Sequence, residues 1–129
     1  DLIIEVGALS AAELCLPAAS EGSAEVRNRV MAARRLQEQR YGDLADASAT
    51  ANAYVASRTL EEAVALDDDG RSLMETAATQ LSLSARGFHR ALRVARTIAD
   101  LDGQERVSRV HLSEALSYRS EMRAMQQAA

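Results

Sequence analysis

The stretch Leu83–Leu101, LSARGFHRALRVARTIADL, decides how this chain folds. Ser84 is a good helix N-cap, because its hydroxyl can accept from a first-turn N–H that has no partner inside the helix. Wound at about 100° per residue, Phe88, Ala91, Leu92, Ala95, Ile98 and Ala99 share one arc, which marks that arc as core. The opposite arc carries Arg86, His89, Arg90, Arg93, Arg96, Thr97 and Asp100 and is markedly cationic. Its charges run against the helix dipole: Arg86 sits in the first turn, where the dipole is positive, and Asp100 near the last, where it is negative. Two readings of this face stay open. It is a solvated surface with i,i+4 pairs such as Arg96–Asp100, or the helix start meets an anion that its free N–H groups and Arg86 bind together.

Outward from this helix, the composition favours more helices. The 129 residues are enough for one domain with a modest core. Alanine is abundant, aromatic residues make up 3% and there is one proline, which suits an all-α bundle and fits a β-sandwich poorly. No apolar run is long enough to span a bilayer, so no membrane partner is expected. The chain opens at Asp1 with no leader pattern and reads as part of a longer protein. A lone Cys15 excludes an internal disulfide and points to a reducing, cytoplasmic setting. All fifteen basic residues are arginine, a bias that a GC-rich genome alone can produce. The net charge of −4 argues against a whole surface built for nucleic acid. A local patch remains, because Arg86–Arg119 holds seven arginines against four acids.

In chain order, residues 1–6 (DLIIEV) read as a short β-strand with nothing later to pair with it. Gly7–Ser23 is mostly connection, with a helical turn or two at Ser10–Leu16. A helix near 24–40, capped by Ser23, has the stripe Val26, Val30 and Ala33 with Leu36 on its flank and Gln37 inside it. Buried there, Gln37 would need a hydrogen-bond partner. Gly42–Val55 reads as a loop, and Thr59 with Glu62 as the capping box of a helix at 59–65. Asp67 opens a helix at 68–82 whose seam is Leu73, Ala77 and Leu81, with Met74 and Ala78 beside it. The short joint at Ser82–Ser84 predicts that this helix contacts the next one, 85–102, as an angled pair. Gly103 ends that helix, and Ser108 caps the last, 109–125, whose stripe is Leu112, Ala115, Leu116 and Met122. Arg119 falls inside that stripe, so its charge must be paired or must reach the surface along its stem.

No complete catalytic constellation appears. His89 and His111 lack the spacing of a helical metal site, and both read as solvated histidines. No metal site is expected. Neither a GxxxxGK[ST] loop nor a GxGxxG is present. Asp67–Asp69 lacks the alternation of a calcium loop and suits a helix start.

The central stretch LSARGFHRALRVARTIADLDGQERV, followed by HLSEALSYR, resembles the C-terminal domain of magnesium-chelatase-like AAA+ ATPases of the competence-associated ComM (YifB) type. That family carries L-S-A-R, then R-x-L-x-V-A-R-T-I-A-D-L, then H-L-x-E-A-x-x-Y-R. Asp1–Val6 is similar to its last core strand, SAEVRNRVMAARRLQEQR at Ser23–Arg40 to its linking helix, and Asn52-Ala53 to a short landmark. Gly7 stands where the family has proline, and Ser113 where it has alanine.

The resemblance implies a helical lid of four to five helices behind an α/β nucleotide core, in a ring-forming ATPase. It implies that Arg86 is the sensor-2 residue, catalytic in reaching the γ-phosphate of ATP, with Arg90 beside it on the nucleotide. ATP and Mg²⁺ would then be cofactors of the longer protein, with none bound by this part alone. The partners implied are the upstream core, neighbouring subunits and DNA, and the activity is DNA remodelling in competence or recombination. Arg93, Arg96 and Arg119 are candidates for subunit or DNA contact. The alternative is a stand-alone nucleic-acid-binding or interaction module that uses the arginine face of 84–101.

Overall fold

A computed structural model describes residues 2–4, 6–17, 21–42 and 50–128, with side chains described through residue 119 apart from residue 14. Among the described residues there are six helices and no strand: α1 (Ala11–Leu14), α2 (Ser23–Tyr41), α3 (Ser57–Val64), α4 (Asp68–Gln80), α5 (Ala85–Leu101) and α6 (Arg109–Ala128). The all-α expectation holds. Residues 2–4 and 6 of the expected strand stand outside regular structure, because a strand needs a second one to bond and none is present among the described residues. Asp1 and Glu5 of that stretch, residues 43–49 of the expected loop, and the Met122 side chain of the last stripe lie outside the described residues.

The α5 helix is the hub, packed against α6, α2 and α3, while α4 packs against α6. The expected angled pair meets in the shared core, where Met74 and Ala77 of α4 join Ala91 and Leu92 of α5, while the more extensive packing of α4 is on α6. The joint explains it. Ser82 takes the left-handed conformation at φ 48°. Leu83 N–H donates to Ala78 O at 2.9 Å and Ser82 N–H to Thr79 O at 3.3 Å, closing α4 with a Schellman turn that swings the chain away before Ser84 restarts it.

Local chemistry sets most of the helix ends. Ser84 Oγ accepts from Gly87 N–H at 3.1 Å, and Asp67 Oδ1 from Gly70 N–H at 2.8 Å. Gly103 stands at φ 65°, with Gln104 N–H on Ala99 O at 2.8 Å, so α5 ends as the glycine predicted. Ser10 and Glu13 form a capping box that makes α1 one helical turn. Two caps differ from expectation. Gly22, not Ser23, caps α2, with its N–H on Glu25 Oε2 at 3.0 Å. Residue α3 begins with is Ser57, so Thr59 lies inside the helix and forms no box with Glu62.

The core joins Leu60 and Val64 of α3, Met74 and Ala77 of α4, Ala91, Leu92, Ala95 and Ala99 of α5, and Leu112, Ala115 and Leu116 of α6. Phe88, Ile98, Leu73 and Leu81 pack against it while only partly buried. The small alanines of α5 let three neighbouring helices approach one axis. On α2 the expected stripe is buried at Ala33, but Val26 and Val30 remain 39% and 44% exposed. Gln37, inside that stripe, is buried and has the partner it needs: its Oε1 accepts from Asn52 N–H at 3.2 Å.

Candidate functional site

The polar face of α5 divides along its length. Toward the C-terminus its arginines are structural. Arg96, expected on the cationic surface, is 0% exposed. Its Nε donates to Asp100 Oδ1 at 3.1 Å, its Nη1 to Glu105 O at 2.8 Å and its Nη2 to Gln104 O at 2.6 Å. One guanidinium thus ties α5 to the turn that follows it. The surface reading failed because Gln104 and Glu105 fold back over α5, and their carbonyls need donors away from water.

Asp100 is the shared anion of this cluster. Arg40 of α2 reaches it with Nη2 on Oδ1 at 2.6 Å and Nη1 on Oδ2 at 3.2 Å. Asn52 Nδ2 donates to Oδ2 at 2.8 Å. A carboxylate with opposed dipole at a helix end is tolerated here because two guanidinium groups face it. Burial opposes the charge on Arg40, yet the hydrogen bond and charge of Asp100 outweigh it and raise its pKa. For Arg96 burial prevails over the help from Asp100 and lowers the pKa, with Arg40 pressing the same way.

Asn52 connects this cluster to the chain between α2 and α3. Its Oδ1 accepts from Tyr41 Oη at 2.8 Å, its Nδ2 also donates to Thr97 Oγ1 at 3.0 Å, and its carbonyl accepts from Arg93 Nε at 2.8 Å. Arg93 Nη2 donates to Val55 O at 3.2 Å. Arg93 therefore holds the segment before α3 in place. Burial raises the pKa of Tyr41, because a phenolate has no place in this interior.

Both histidines depart from the solvated reading. His111 is buried; its Nδ1 accepts from Ser108 N–H at 3.0 Å, as a capping-box glutamate would, and its Nε2 lies 3.4 Å from Asp102 Oδ2. Ser108 Oγ is 3.2 Å from the same Nδ1, so Ser108, His111 and Asp102 form a file. It is a helix start rather than a nucleophile, since a backbone N–H already occupies the nitrogen a base would use. His89 is half-buried, with Nε2 2.6 Å from Glu61 Oε1 and Nδ1 2.8 Å from Ala85 O, which joins α5 to α3.

The start of α5 is different. Arg86 is exposed and has no hydrogen bond or ion pair among the described residues. With His89, Arg90, Arg93 and Ser57 it lines an open polar pocket of about 570 Å³. No acid stands in the first turn of α5. Guanidinium and first-turn N–H groups facing solvent together can hold a phosphate-like anion. Among the described residues no group of three or more His, Cys, Asp or Glu side chains is placed to hold a metal ion. No helix of the described residues is long and apolar enough to cross a membrane.

Of the residues singled out in the sequence, the structure gathers Arg86, Arg90 and Arg93 around one pocket and withdraws Arg96 into the interior. Asn52, Arg40 and Tyr41 were not foreseen as one cluster. The only sequence signal for it is the Asn52-Ala53 landmark.

The family described as "Magnesium chelatase, subunit ChlI C-terminal" matches residues 20–119. The chain is 41% identical over 106 residues to the competence protein ComM of Haemophilus influenzae, covering 82% of this chain and 19% of that protein. It is 40% identical over 100 residues to YifB of Escherichia coli, covering 78% of this chain and 18% of that protein. It thus spans about a fifth of the length of these relatives. The match takes in the buried arginine cluster and the open start of α5 alike, and the chain belongs to the magnesium chelatase ChlI C-terminal family as a domain of ComM/YifB type.

Proposed function

We propose that this domain is the sensor-2 lid of a magnesium-chelatase-like AAA+ ATPase. Arg86 is the residue that reaches the γ-phosphate of ATP. The observation that carries the reading is the contrast between Arg86, exposed and without a partner at a helix start, and Arg93 and Arg96, whose donors are used on backbone carbonyls. A guanidinium that stabilises charge on a phosphoryl group acts only if nothing in its own domain neutralises it. Arg90 lines the same pocket and adds positive potential there. Arg93 and Arg96 leave the set of subunit or DNA contacts in this reading, because their donors serve the fold.

The remaining parts belong to the longer protein. ATP and Mg²⁺ are its cofactors, the preceding core carries the phosphate loop, and residues 1–6 supply the last strand of that core. Neighbouring subunits complete a ring, the setting is cytoplasmic, and the work is DNA remodelling, in keeping with the competence role named for the Haemophilus relative. The test is Arg86→Ala in the protein that holds this domain with its phosphate loop. ATP turnover is expected to fall by about 10²-fold or more, with the melting temperature of the domain unchanged. Turnover equal to wild type would remove the sensor assignment.

A further inference from the structure

Arg119 of α6 is the unexplained charge of this molecule. Its Nε and Nη1 are buried and have no hydrogen-bond partner among the described residues. The guanidinium is lodged against the first turn of α5: a Cβ placed on Gly87 would stand 3.3 Å from Arg119 Nη2 and 3.4 Å from Ser84 Oγ. Gly87 itself is buried, and a side chain there would crowd the guanidinium by a few tenths of an ångström. Burial lowers the Arg119 pKa, and the nearby charge of Arg90 presses in the same direction. Among the described residues, the charge that acts on it most is the like charge of Arg90. The helix start is positive, Arg86 and Arg90 are cations, and α5 has no acid in its first turn. Leaving two buried guanidinium nitrogens unpaired costs on the order of a lost charged hydrogen bond each. The buried arginines at the other end of α5 all have acceptors.

We infer that Arg119 is the second arginine of a two-arginine phosphate clamp at the start of α5, closing from α6 on the same phosphate that Arg86 meets from α5. The inference rests on the sensor reading for the source of that phosphate. Its own basis is the pair of unpartnered guanidinium nitrogens and their place against Gly87 in the first turn of α5. An incoming phosphate draws Arg119 out of its unsatisfied position, gives its fork the acceptors it lacks, and pulls α6 toward α5. Phosphate release lets it fall back. The clamp thereby links the occupancy of the site to the packing of two helices.

The probe is inorganic tripolyphosphate, added to this chain and followed through the Nε–Hε signals of its arginines by NMR. The Arg119 and Arg86 signals are expected to move together along one binding curve. Arg119→Met should weaken the affinity by about tenfold or more, the worth of a charge-assisted pair, with a melting temperature equal to or above wild type, since it removes an unpaired charge. Arg119→Lys, which keeps the charge and loses the fork, should fall between the two. The inference is overturned if the Arg119 signal stays still, if Arg119→Met binds like wild type, or if that variant melts well below it. Loss of binding in Arg86→Ala with binding intact in Arg119→Met would sink the clamp and leave the sensor reading standing.

Discussion

The two ends of α5 hold arginines on opposite terms. At the C-terminal end Arg96 and Arg40 share Asp100, and every donor of the cluster that the fold encloses meets a carboxylate, a carbonyl or an amide. At the N-terminal end Arg86 has no partner among the described residues, and two nitrogens of Arg119 are buried without one. The same residue type on the same helix is consumed by the fold at one end and left over at the other. What separates them is whether the chain returns over the helix. The turn after α5 and the segment around Asn52 supply acceptors for the C-terminal half, while the first turn faces open space or other cations.

The widest test of this contrast is Asp100→Asn. It preserves shape but leaves Arg96 buried with no counter-charge, and it should destabilise the domain by about 3–5 kcal/mol, read from chemical denaturation. A loss under about 1 kcal/mol would mean the cluster is not the anchor described here. A second test uses pH. Tyr41 has a raised pKa in the folded state, so its contribution is present below its unfolded value of 10.0 and is lost as pH rises through the folded value. Wild type should therefore lose its stability advantage over Tyr41→Phe as pH climbs above 10.0. A gap that stays constant through that range would put Tyr41 outside the titrating interior. The smallest effect is expected at the other end: Arg86→Met should shift stability by no more than about 0.5 kcal/mol, as for an exposed side chain without partners. A loss above that in the isolated domain would show that Arg86 supports the fold and blur the division between the two ends.

Much of the fold was legible in the residues. Ser84, Asp67 and Gly103 act within one turn of their own positions, so their capping chemistry needs nothing distant. The alanines and Leu92 of α5 fell on one arc by period alone. Periodicity did not reveal that Arg96 is enclosed, because helical phase places a residue on a face without saying what covers that face. The i,i+4 spacing of Arg96 and Asp100 correctly suggested a pair and left its burial unread. Ser82 was missed for a related reason: serine carries no strong signal for left-handed backbone, yet the conformation it adopts turns the chain so that α4 packs mainly on α6.

Sequence by itself determined the helices, their principal caps, the central place of 83–101 and the choice of Arg86 as the cation at a helix start. Those are short-range matters of period, hydrogen-bond donors and dipole sign. Tertiary structure alone decided which arginines are consumed by the fold and which are left over. That choice depends on acceptors brought from far along the chain: Asn52 to Arg93, Gln104 and Glu105 to Arg96, and Asp100 to Arg40. A buried charge is settled by where those acceptors arrive, and among the described residues none reaches Arg86 or the buried nitrogens of Arg119.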